Sequence, residues 1–150
     1  MKYLAICSLI LLSTFNSFAQ NAPDIIWEVT LELIDDSDSA ILVLTADVPK
    51  GLHIYSSDFE CEIGPNPTSL KSLEENGAEL SGDLLSIGAK TTYDDIFMCD
   101  LSYFDVKAEL HQKFLLTESE ASLSGVLEYQ VCLENGMCIL REQAFDVSTD

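Results

Sequence analysis

Basic residues are scarce in this chain: seven Lys and Arg stand against 26 Asp and Glu, a formal net charge of −19 at pH 7. A surface this acidic repels phosphate backbones and anionic headgroups, which excludes nucleic acid and anionic membrane as partners. It also favours a soluble monomer, the state expected here. Histidine is scarcer still, with only His53 and His111. Neither lies at a catalytic or metal-ligand spacing, and His53, between Leu52 and Ile54, reads as an ordinary strand residue. The serines have no histidine and acid constellation around them, and no glycine-rich phosphate loop is present. The adjacent carboxylates Asp94-Asp95 and Glu74-Glu75 would point to opposite faces of a strand, so neither is an acid–base pair for glycoside hydrolysis. No cofactor and no metal are expected.

Long apolar runs are absent except at the start. Met1-Lys2 supplies a positive end, residues 3–12 an apolar core, and Ser17-Phe18-Ala19 a small-x-small cleavage site. Residues 1–19 therefore read as a signal peptide, and the mature chain is expected to begin at Gln20. The run falls short of the roughly 20 residues a membrane span needs. Cys7 follows Ile6 rather than a small residue, which argues against a lipid-anchored cysteine. The product is expected in the periplasm or outside the cell, with no direct membrane insertion. Residues 20–150 form one domain by length, and losing Lys2 takes the net charge to −20.

Amphipathic helices, internal repeats and low-complexity linkers are also missing. What is there alternates. Trp27, Val29, Leu31 and Leu33 interleave with Glu28, Thr30 and Glu32, the period of a half-buried strand. Residues 40–46 form a short apolar run, and Pro49-Lys50-Gly51 turns the chain into Leu52-His53-Ile54-Tyr55. Gly64-Pro65-Asn66-Pro67 makes residues 58–68 a loop before a strand near 69–73, and Asn76-Gly77 marks a further turn. Residues 81–92 read as turn-rich and weakly patterned. Residues 101–114, with Phe104, Val106, Ala108 and Leu110 in alternation, read as one strand. Leu123, Leu127, Tyr129 and Val131 share a parity, and residues 139–147 read as the returning partner. Seven or eight short strands in this length predict an all-β, immunoglobulin-like antiparallel β-sandwich.

Beyond the leader the cysteines are Cys61, Cys99, Cys132 and Cys138, in a chain addressed to a disulfide-permissive compartment. Three pairings are possible, and spacing alone does not choose among them. The segment Cys132-Leu133-Glu134-Asn135-Gly136-Met137-Cys138 is the most informative. If residues 134–136 form a three-residue loop with Gly136 in the left-handed region, Leu133 pairs with Met137 and Cys132 faces Cys138. Directly opposed strand residues have Cα atoms about 4.5 to 5.5 Å apart, within the reach of a disulfide, although ladder geometry does not favour its ideal dihedral. Such a bridge closes a very small loop beside a turn that already holds the strands, so it removes little unfolded-state entropy. That makes it a poor staple and a plausible switch. Exported β domains also carry hairpin disulfides with no redox role, and the residues leave both readings open. A zinc site would require all four cysteines to converge without the usual short ligand spacings.

Tyr129-Gln130-x-Cys132-x5-Cys138, preceded by the sandwich-like strand pattern, resembles the N-terminal periplasmic domain of the DsbD thiol:disulfide reductases. Gly51-Leu52-His53-Ile54-Tyr55 is similar to that family's Gly-aromatic-x-x-Tyr strand, and Gly64-Pro65-Asn66-Pro67-Thr68 resembles a loop of its stand-alone versions. The resemblance spans nearly all of the mature chain. It implies an immunoglobulin-like domain that takes electrons from a membrane donor and passes them to periplasmic thioredoxin-like proteins, the donor acting in trans. It further implies Cys138 as the exchanging sulfur, Cys132 as the resolving one, and a cap loop over the pair at Asp94, Asp95, Ile96 and Phe97, with Phe97 as the shielding ring. Cys61 and Cys99 are additional to that pattern, and could pair either as a tether for the cap or as a plain structural disulfide. Ile139-Leu140-Arg141 stands where the family often has a proline. The acidic surroundings, with Glu134 inside the hairpin, disfavour a thiolate, so rapid exchange would need a partner that brings the activated thiol. The competing expectation is a non-catalytic secreted β-sandwich interaction protein in which both disulfides are structural.

Overall fold

The computed structural model describes residues 23–149 except Asp36 and Asn135. The leader, its cleavage site, Cys7 and the expected mature start at Gln20 lie outside the described residues, as does the place of Asn135 in the hairpin loop.

Among the described residues, ten strands carry the fold: β1 (Glu28–Leu33), β2 (Ser39–Asp47), β3 (Leu52–Tyr55), β4 (Ser69–Asn76), β5 (Ala78–Ser86), β6 (Lys90–Asp94), β7 (Cys99–Phe104), β8 (Lys107–Leu116), β9 (Ser122–Leu133) and β10 (Cys138–Ser148). They form two antiparallel sheets, one ordered β1-β2-β8-β5 and the other β10-β9-β3-β7-β6, with β4 also paired to β9. This is the expected immunoglobulin-like sandwich. Its core lies between the sheets, where Leu42, Leu44, Leu110 and Phe114 of the first sheet meet Ile54, Phe104, Leu127 and Val131 of the second. Each of these large side chains removed from water contributes roughly 1.5–3 kcal/mol. Along the side where the edge strands β1 and β10 lie, the segment before β1 bridges the two sheets. Trp27 exchanges two hydrogen bonds with the Gln143 amide, its N–H donating at 3.0 Å and its carbonyl accepting at 2.8 Å. Its ring packs edge-on against Tyr129 at 5.5 Å.

Three expectations are corrected. Residues 81–92 are not turn-rich filler but hold most of β5 and the start of β6. Both are edge strands with little buried surface, and β5 carries a register shift between Ser81 and Leu85, so neither shows a period of two. Residues 101–114 are not one strand. The chain changes sheets between β7 and β8, leaving Val106 exposed at the turn while Phe104 and Ala108 on either side face the core. The Pro49-Lys50-Gly51 turn likewise carries the chain from one sheet to the other, since β3 pairs with β7 and β9 rather than with β2.

The sharing of β9 positions the site. One of its edges pairs with β10 along its whole length, while the other is divided between β4 toward the start and β3 at residues 131–133. Cys132 therefore sits between β10 and β3, on the sheet face turned away from the main core.

Candidate functional site

The hairpin joining β9 to β10 has the expected register. The Leu133 N–H donates to the Met137 carbonyl at 2.8 Å, the Gly136 N–H donates to the Leu133 carbonyl at 2.9 Å, and Gly136 has φ +84°. Glycine suits that left-handed position because it has no Cβ to clash. The bond at Leu133 leaves the next pair, Cys132 and Cys138, in a non-hydrogen-bonded position, where opposed Cα atoms approach most closely. They are 4.0 Å apart and their sulfurs are bonded.

The two halves of this disulfide differ sharply in surroundings. Cys138 is exposed, whereas Cys132 is 0 % exposed. The cover over Cys132 is a small apolar cluster separate from the main core: Tyr55, Phe59, Leu101 and Cys132 are buried together, with Cys61, Phe97, Cys99 and Tyr103 packed against them. Two loops build that cover. The segment 57–67 folds back on itself, closed by the Thr68 N–H donating to the Ser56 carbonyl, and is pinned onto β9 by the Asn66 N–H donating to the Gln130 side chain at 2.8 Å. The second loop is the turn between β6 and β7. There the Asp94 carboxylate accepts from the N–H groups of Ile96 at 2.8 Å and Phe97 at 3.0 Å. That turn directs Phe97 into the cluster, while Ile96 and Met98 on either side stay exposed.

Cys61 and Cys99 are joined by the second disulfide, with Cα atoms 5.8 Å apart, and it ties the two loops together. A Cβ built on Gly64 would sit 3.0 Å from the Cys61 Cβ and 3.7 Å from the Phe97 ring, so a residue without a side chain lets the bridge and the ring pack closely. Of the residues expected at the site, the structure thus places Cys132, Phe97 and the Cys61–Cys99 bridge around one cluster. Asp94 shapes the turn, and Asp95 lies exposed within it. Among the described residues no group of three or more His, Cys, Asp or Glu side chains is placed to hold a metal ion. No helix there is long and apolar enough to cross a membrane.

One residue reads as ordinary in the sequence and is not. His53 on β3 directly opposes Cys132, which in turn opposes Cys138, so the three stand in one row across the sheet. Its ring makes edge-to-face contacts with Tyr55 at 5.1 Å and Tyr103 at 5.6 Å. Burial lowers its pKa below the ordinary value, with the Asp105 charge opposing that shift. Burial also raises the Tyr55 pKa, and the nearby Asp94 charge adds to it. The only local signal was a histidine in a segment resembling a family strand; the pairing of β3 with β9 had none.

A two-sheet antiparallel sandwich with a cysteine pair across its last hairpin defines a class of protein, the immunoglobulin-like domain that presents a disulfide at a sheet end. The particular family follows. The family model for the N-terminal region of thiol:disulfide interchange protein DsbD matches residues 22–149, and the chain belongs to that family. Among solved structures, it is similar to the reduced DsbD N-terminal domain of Neisseria meningitidis, with a TM-score of 0.52 and 18% identity over 83% of this chain and 86% of that one. A complex between the DsbD and PilB N-terminal domains of the same organism aligns with a TM-score of 0.48 and 18% identity over 80% of each chain. No curated protein matches the sequence.

Proposed function

We propose that this protein is a thiol:disulfide interchange module of the periplasm that works through Cys132 and Cys138, relaying electrons from a membrane donor in trans to thioredoxin-like proteins. The observation that carries this reading is the asymmetry of the hairpin disulfide, with one sulfur-bearing residue exposed and the other sealed under a cluster. An incoming thiolate must approach along the S–S axis, and the exposed Cys138 offers that approach where Cys132 does not. In the reducing direction, the Cys138 thiolate attacks the partner's disulfide and releases one partner thiolate. Cys132 then attacks Cys138, the bond between Cys138 and the partner breaks, and its electron pair leaves with the partner's second sulfur. The partner gains two thiols and the hairpin disulfide is restored.

Phe97 and the tethered loops serve as the cover that keeps unproductive thiols and disulfides away from Cys132. Acidic residues in and beside these loops, Glu60, Glu62, Asp94 and Asp95, together with Glu134 in the hairpin, disfavour a free thiolate, so rate depends on a partner docking and supplying the activated thiol. The address at residues 1–19 and membership of the DsbD N-terminal family support the compartment and the partners.

The test is a trap. With Cys132→Ser, Cys138 has no resolving partner and should accumulate mixed disulfides with exported thioredoxin-like proteins. Adducts no more abundant than those of a Cys61→Ser control would count against the proposal.

A further inference from the structure

In the reducing cycle, Cys132 must lose a proton before it can attack Cys138, because the thiolate and not the thiol is the nucleophile. Cys132 is buried with Phe59, Tyr55 and Leu101 and is 0 % exposed, so it has no direct contact with bulk water. The proton therefore needs an acceptor inside the cover.

We infer that His53 is that acceptor, the general base that takes the Cys132 thiol proton as the mixed disulfide is resolved. This rests on the thiol-exchange reading of the hairpin. Three features of the structure carry it. His53 and Cys132 are direct cross-strand partners, and directly opposed residues hold their Cβ atoms about 4.5–5.5 Å apart with both side chains on one face of the sheet. The ring is held between Tyr55 and Tyr103, so its orientation is set before any partner arrives. His53 also lines a shallow pocket of about 280 Å³ together with Tyr55, Thr92, Asp94, Leu101 and Tyr103, which gives the accepted proton an exit to solvent.

The groups facing His53 are consistent with a base rather than a fixed cation. Tyr55 stands beside it on its own strand, Cys132 on β9, Tyr103 on β7 and Asp94 at the end of β6. Asp105, whose charge is the one that raises the His53 pKa, is itself paired with Lys90 at 2.6 Å. Burial outweighs that charge and favours the neutral imidazole, the form able to accept a proton. The step balances. The proton moves from the Cys132 sulfur to the imidazole, the Cys132–Cys138 bond forms, the Cys138–partner bond breaks, and the departing partner thiolate is reprotonated from the imidazolium or from solvent.

The experiment mixes the protein reduced at Cys132 and Cys138 only, its Cys61–Cys99 bridge intact, with an aromatic disulfide whose thiolate absorbs visible light. A first release reports formation of the adduct on Cys138, and a second reports resolution by Cys132. With His53→Gln the first release should stay within about twofold of the wild type, while the second should slow by about tenfold or more near pH 7. In the variant the second rate should also climb with pH into the alkaline range, whereas in the wild type it should level off above the histidine titration. His53→Tyr keeps an aromatic ring between Tyr55 and Tyr103 without a base near neutral pH. It should slow the second release likewise, which separates loss of the base from loss of packing. An unchanged second release and pH profile in both variants would overturn the role of His53 while leaving thiol exchange in place. Absence of the second release from the wild type would overturn the exchange reading and this inference with it.

Discussion

The two disulfides lie against one apolar cluster and differ in almost every other respect. Cys61–Cys99 spans 38 positions and joins two loops that no strand ladder holds together, while Cys132–Cys138 spans six and lies beside a turn already closed by backbone hydrogen bonds. On the chain-entropy scale the longer closure is worth about 4 kcal/mol and the shorter about 2, before allowing for order the hairpin retains by itself. Exposure divides them as well, since Cys138 is open at the sheet end whereas Cys61 and Cys99 are both partly buried. The contrast teaches that a disulfide's chemistry follows from what the rest of the fold would do without it. On the proposed reading, the longer bridge maintains the cover and the shorter one opens during exchange, with the ladder keeping its two cysteines opposed.

The largest expected effect tests this division directly. Cys138→Ser should reduce disulfide exchange with a thioredoxin-like protein by on the order of a thousandfold or more, followed as thiol release in the partner, because nothing replaces the attacked sulfur. Cys61→Ser with Cys99→Ser should retain exchange. The stability contrast runs the other way. In denaturant unfolding under oxidising conditions, the Cys61/Cys99 double variant should lose about 2–4 kcal/mol and a Cys132/Cys138 double variant less. Equal losses would break the comparison.

The cover comes next in size. Phe97 is half-buried against the cluster, so Phe97→Ala should weaken the shield over Cys132 by about 1.4 kcal/mol and raise the rate at which the reduced Cys132 thiol is alkylated about tenfold. Time-resolved alkylation reads this, and an unchanged rate would make Phe97 ordinary packing. The smallest effect is a pH slope. Because burial holds the folded His53 pKa below 6.5, the unfolded chain binds the proton more readily. The stabilising contribution is thus present above pH 6.5 and is lost as pH falls through the folded value. His53→Gln should flatten that part of the stability profile.

Legibility in the sequence followed locality. The hairpin could be read because turn chemistry at Gly136 and the spacing of two cysteines are contained in seven residues. Strands with one buried face declared themselves, β9 by the shared parity of its apolar residues and β2 by a short apolar run. Edge strands β5 and β6 did not, because they bury too little for a pattern, and the switch of sheet between β7 and β8 was hidden by apolar residues on both sides of Val106. The cover was visible only through family resemblance. The placement of His53 next to Cys132 depends on two strands far apart in the chain pairing in one register, which no short segment encodes.

Equilibration in graded glutathione buffers, followed by labelling of free thiols, distinguishes a working bond from a fastening. If Cys132–Cys138 is the working bond, Cys132 and Cys138 become labelled at potentials above about −300 mV, while Cys61 and Cys99 remain protected there. A Cys132–Cys138 bond still intact well below about −300 mV would contradict that assignment, and would make the hairpin disulfide structural.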